Sequence, residues 1–109
     1  MLTGIRVIKL TSGDTIVAKL SKFSDKSQYV QVDDPVQFTM MYKGEGEGSL
    51  VAQQWLETDE TSFSIHKMQI VAEAEPNDML KDYYFSSLEE IYEEVEDSIL
   101  TEFESKTCH

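Results

Sequence analysis

Few side chains in this 109-residue chain are of the types that do covalent chemistry, and their spacing suits it poorly. His66 and His109 are the only histidines, and Cys108 is the only cysteine. A structural or catalytic zinc site needs three or four such ligands at short recurring spacings, and the sequence offers no such set. Cys108-His109 is a nucleophile–base pair by type, but a chain end tends to fray and would not hold the two in hydrogen-bond geometry. Glu89, Glu90, Glu93 and Glu94 are adjacent or four apart, the pattern of a solvated helix face, which accounts for them without acid–base catalysis. Gly44-Glu45-Gly46-Glu47-Gly48-Ser49 is glycine-rich, yet a phosphate cradle needs a helix N-terminus and usually a lysine beyond it. Glutamates separate these glycines and strand-like residues follow, so the run reads as a hairpin loop. The expectation is a binding protein rather than an enzyme, with no metal and no cofactor.

Charge narrows the kind of partner. The net charge is −12, distributed unevenly. Through Lys43, six basic residues meet four acidic ones, a balance of +2; from Gly44 onward three lysines face seventeen carboxylates, a balance of −14. Such a surface repels extended phosphate backbones, which disfavours duplex binding. No run of about eighteen apolar residues is present, so no transmembrane helix is expected. The N-terminal residues lack the basic-then-apolar pattern of a secretory signal. A lone cysteine forms no internal disulfide, which points to a reducing, cytoplasmic setting.

The elements that would position any site are mostly strands. Ile8-Lys9-Leu10 alternates as a half-buried strand does, and Thr11-Ser12-Gly13-Asp14 makes a turn. A second strand spans roughly Thr15 to Phe23, with Ile16, Ala18 and Leu20 on one face and Val17 and Lys19 on the other. Ser24-Asp25-Lys26-Ser27 turns the chain into a third strand, Tyr29 to Val32, which Asp33-Asp34-Pro35 is expected to end because proline brings no N–H to a ladder. Val36 to Lys43 reads as a fourth strand and Leu50 to Glu57 as its returning partner. Met40-Met41 is expected to fill the core, and Trp55 and Tyr83-Tyr84 to anchor the core or an interface. Phe63-Ser64-Ile65 and Ile70-Val71 read as one kinked strand or as two pieces joined by a tight turn.

After Glu75-Pro76-Asn77 the period changes. Leu80, Tyr84, Leu88, Ile91, Val95, Ile99 and Phe103 recur at three and four, which predicts an amphipathic helix to about Ser105. Pro76 fits a first helical turn and Asn77 is an alternative cap. Ser86-x-x-Glu89 and Ser87-x-x-Glu90 each match a capping box, which predicts a break or kink near residue 86. Some 28 helical residues would span about 42 Å, longer than a barrel of this size. One domain is expected, with residues 1–75 forming the β-barrel and 76–109 an acidic helix and tail.

The motif order resembles the Sm-like (LSm) family. Its first motif, an alternating strand, Leu-x-x-Gly, a second strand and a third after a short loop, is matched by Ile8-x-Leu10-x-x-Gly13, Ile16-x-Ala18-x-Leu20 and Tyr29-Val30-x-Val32. Its second, hydrophobic-Arg-Gly-x-x-hydrophobic, keeps its spacing in Ile65-His66-Lys67-Met68-Gln69-Ile70. The chain is similar in overall look to small Sm-like proteins of marine phage and metagenomic origin. Tyr29 stands where the family has its base-contacting asparagine, His66 where it has arginine, and Lys67 where it has glycine.

The resemblance implies a mainly β fold: a small, strongly bent five-stranded antiparallel barrel, here with an added C-terminal α-helix. It implies a homo-oligomeric ring that binds short single-stranded RNA at its pore, in the cytoplasm of a bacterial or phage-infected cell. Aromatic stacking beside cations is how single strands are held, and the ring places that role on Lys26, Tyr29, His66 and Lys67. The alternative is an acidic oligomeric adaptor that binds protein partners through its helix and has no nucleic-acid role.

Overall fold

The computed structural model describes the backbone of residues 4–22, 26–42, 44 and 46–107, and the side chains of these up to Glu93 except Ser21 and Lys22. The turn around Asp25, the Cys108-His109 pair and the side chains of Glu94, Val95, Ile99 and Phe103 lie outside the described residues.

Period-2 alternation places Ile8 and Leu10 of β1 (Gly4–Leu10) and Ile16, Ala18 and Leu20 of β2 (Thr15–Lys22) in one buried cluster. The hairpin between them closes through Gly13, whose φ of +97° is open to glycine at little cost and whose N–H donates to the Leu10 carbonyl at 2.9 Å. Val30, Val32 and Ile65 complete this first core, with Trp55, Phe63 and Ile70 against its rim. A second core lies on the opposite face of the sheet, where Val17, Val36 and Phe38 meet Tyr84 and Leu88 of the C-terminal helix.

One strand serves both cores. β3 runs unbroken from Tyr29 to Tyr42, where two strands separated by Asp33-Asp34-Pro35 were expected. Val17 pairs with Val36 and Lys19 with Asp33, so Asp34 and Pro35 together oppose the single residue Ala18. This is a β-bulge. It absorbs the proline, because the N–H that proline lacks falls where the ladder is already interrupted. Asp34 takes a left-handed φ of +51°, which bends the strand.

β4 (Gly48–Gln54) pairs with the second half of β3, and β5 (Ser62–His66) with the first half. A 3₁₀ turn at Lys67–Gln69 then leads into β6 (Ile70–Ala74), which returns to β1, so the region around residues 66–69 is two strands joined by a turn. Between β1 and β6 the part-buried Arg6 side chain donates through Nε to Glu73 at 2.6 Å. The result is an antiparallel, six-stranded, strongly bent sheet in the order β4-β3-β2-β1-β6, with β5 on β3. It is mainly β with one C-terminal helix, as expected, but the sheet is not closed by strand pairing.

The helix α1 spans Asp78–Thr107. Asn77 caps it, its Oδ1 accepting the Leu80 N–H at 2.9 Å, while Pro76 stays outside. No break occurs near residue 86. The Ser87 hydroxyl donates to the Tyr83 carbonyl at 2.7 Å within the helix instead of capping a new one. The continuous apolar stripe through Tyr84, Leu88 and Ile91 keeps the helix docked on the sheet across that point. Its 30 residues extend about 45 Å, and the last described contact with the sheet is Tyr92. Met40 and Met41 are 47 % and 54 % exposed, so they do not fill the core. Pairing of β3 with β2 stops at Phe38, and beyond it the β3–β4 hairpin projects past its covering layers.

Candidate functional site

The four residues expected to form the binding site come together at one end of the sheet. Tyr29 opens β3 and His66 closes β5, and the antiparallel register sets them directly opposite each other. Their rings meet edge to face, with centroids 5.1 Å apart. The Lys67 N–H donates to the Gln28 carbonyl at 2.8 Å, tying the loop before β3 to the 3₁₀ turn after β5. Ser27 steadies the strand entry by accepting the Tyr29 N–H on its Oγ at 3.1 Å.

His66 is fixed from behind. Its Nδ1 accepts the Met68 N–H at 3.1 Å, so the neutral ring carries its proton on Nε2. An open groove of about 380 Å³ lies alongside, lined by Lys26, Ser27, Gln28, His66, Lys67 and Met68. Tyr29 stands at its edge and is 54 % exposed. The groove thus presents two ammonium groups, an imidazole donor, and a half-exposed phenol ring, a combination able to hold an anionic backbone beside a planar ring. Ser27, Gln28 and Met68 escaped sequence reasoning. Their signal is weak, because polar turn residues and a methionine between strands are common without function.

A second arrangement, also unforeseen, surrounds the bend. The Tyr84 hydroxyl donates to the Asp34 carbonyl at 2.7 Å, and the Tyr92 hydroxyl donates to its Oδ1. Lys19 Nζ reaches Oδ2 at 3.0 Å, and the Asp34 N–H donates to the Thr61 carbonyl at 2.7 Å. Every polar group of the left-handed residue is therefore engaged, two of them by the helix. Burial pushes the Tyr84 phenol far above the ordinary tyrosine range, with the Asp34 charge adding to it. Tyr92 is pushed up to about 12, first by desolvation and then by its bond to Asp34.

Among the described residues no three His, Cys, Asp or Glu side chains converge to hold a metal ion. Nor is any helix long and apolar enough to cross a membrane. Compared with known protein families, residues 7–85 match the description "Sm_like domain", a span that runs from the middle of β1 through β6 into the first turns of α1. No curated protein matches the chain.

Proposed function

Since the chain belongs to the Sm-like family, we propose that it works as a homo-oligomeric ring that binds short single-stranded RNA at the groove of Lys26, Tyr29, His66 and Lys67. The observation that carries this reading is the convergence of Tyr29 and His66 with Lys26 and Lys67 on one open groove. Base stacking on an exposed aromatic, with cations for the phosphates, needs those groups within a few ångströms of one another. A ring repeats the groove once per subunit, so weak contacts add through avidity.

The open sheet supports the assembly part. Its edges are β4, β5 and β6, each hydrogen-bonded on one side only. Natural edges are usually guarded by charge or proline, yet β4 reads Gly-Ser-Leu-Val-Ala-Gln-Gln, without either. Pairing the β4 edge of one copy with the β6 edge of the next is a head-to-tail contact, which closes into a ring when its rotation permits. The protein is a binder in this reading, and no catalytic step enters it.

Two measurements test the proposal. Light scattering of the purified protein should give a mass of several subunits at micromolar concentration, and a clean monomer refutes the ring. Fluorescence anisotropy with labelled oligo-U and oligo-A across a salt series should show binding that weakens with salt and is largely lost in Tyr29→Ala/Lys67→Ala. If neither oligonucleotide binds at low salt, the RNA reading fails. A second reading, an acidic adaptor for protein partners, is favoured by the α1 carboxylates Glu89, Glu90 and Glu93, which have no ion pair among the described residues.

A further inference from the structure

The helix α1 does not lie flush on the sheet along its whole contact. Between it and the segment 54–61 runs an apolar groove of about 70 Å³, walled by Pro35, Leu56, Phe63, Leu88 and Ile91. A second hollow of about 190 Å³ adjoins it, sharing Gln54 and Ile91 and lined by Ala52, Gln53, Ser87 and Glu90. Together they form a channel along the helix with an apolar end and a polar end. Asp59 and Glu60 rim the first, and Glu90 the second. Among the described residues none of these three carboxylates has a side-chain hydrogen bond or ion pair, and neither hollow is lined by a lysine or arginine. Asp34, the remaining acid at the groove, is already engaged by Lys19 and Tyr92. The nearby helix surface adds Glu89 and Glu93, both exposed.

We infer that this channel is a docking site for an extended, basic segment of another protein, in which one bulky aliphatic side chain is flanked by lysines or arginines. The aliphatic side chain seats between Leu56 and Ile91, where the apolar space matches one such group. The flanking cations meet Asp59 and Glu60 on one side and Glu90 on the other. Charge selects a basic partner: the rim carries three carboxylates with no lysine or arginine in the lining, within residues 44–109, whose charge balance is −14, so a cationic segment is attracted to it. The inference rests on the adaptor reading and not on RNA binding. The channel lies beside Thr61, before β5, whereas the RNA groove lies at His66, where β5 ends.

The test uses the full chain and a short fluorescein-labelled peptide with one leucine flanked by lysines, read by anisotropy. Binding should weaken with salt, and should fall about tenfold for the protein variant Asp59→Asn/Glu60→Gln/Glu90→Gln, since three exposed ion pairs are lost. It should fall at least as far for a peptide whose leucine is replaced by glycine. Leu56→Lys, a change at a half-exposed position, should also abolish it while leaving the circular dichroism spectrum intact. Equal binding of the glycine peptide overturns the groove and leaves only diffuse charge attraction, with the adaptor reading intact. Absence of binding at every salt concentration overturns both. A Leu56→Lys variant of smaller oligomer mass would assign the channel to a second copy, which also overturns the inference.

Discussion

Replacing Tyr84 with phenylalanine isolates the contribution of a single hydroxyl at the bend of β3. Tyr84 is fully buried, and its ring fills the second core beside Val17, Val36 and Phe38. Tyr84→Phe keeps that ring and removes only the donor to the Asp34 carbonyl at 2.7 Å. A partly buried carbonyl that loses its partner costs about 1–2 kcal/mol. The loss falls on a residue whose left-handed backbone is itself uphill by about 1 kcal/mol, so the bend has little reserve. Urea unfolding at a fixed protein concentration would measure it. With a slope of about 1.5 kcal/mol/M, the midpoint should fall by about 1 M with the slope unchanged. Tyr92→Phe should cost less, because its partner is a carboxylate that water can reach. A Tyr84→Phe midpoint within about 0.2 M of wild type would refute the claim that this hydroxyl holds the bend. Alkaline pH gives an independent check. Both phenols ionise later in the folded protein than in the unfolded chain, so their contribution is complete below about pH 10 and is lost as pH rises through the folded values, about 12 for Tyr92. Tyr84→Phe/Tyr92→Phe should therefore lose stability less steeply above pH 10 than wild type does.

Other perturbations separate the remaining contributions. Deleting residues 87–109 removes Leu88 and Ile91 from the second core and should cost about 3 kcal/mol or more by urea unfolding. Glu73→Ala removes the partner of a part-buried guanidinium and should cost about 1–2 kcal/mol by thermal unfolding, while Arg6→Met/Glu73→Leu should recover most of that loss. Gly13→Ala meets no neighbour within 4 Å, so its cost, about 1 kcal/mol, should come from backbone strain alone.

How much of this was legible before the structure depended on whether local pattern or long-range contact decided the outcome. The faces of β2 and the stripe of α1 follow from periodicity, which is local. The meeting of Tyr29 with His66 followed from the family motif, since the two lie 37 positions apart and no local signal links them. The continuity of β3 was hidden because Pro35 ordinarily ends a ladder, and only the bulge opposite Ala18 makes it harmless. The exposure of Met40 and Met41 was hidden for a related reason: composition reports an apolar strand but not whether a third layer reaches over it. The uninterrupted helix at Ser86-Ser87 shows docking outweighing a capping signal that would govern an isolated peptide. The Asp34 contacts could not be read at all, since Lys19, Thr61 and the helix pair Tyr84 and Tyr92 converge from three separate segments.

The bulge also separates curvature from register. Elsewhere in a half-buried strand, losing one residue turns every later side chain to the wrong face. At Asp34-Pro35 two residues already occupy one ladder position, so shortening the chain by one there would leave Val36 opposite Val17 and Phe38 opposite Thr15, each facing as before. The strand would straighten while its pairings survived. At this bend curvature is thus set apart from register, and the arc of β3 there can be altered by one codon without rewriting either core.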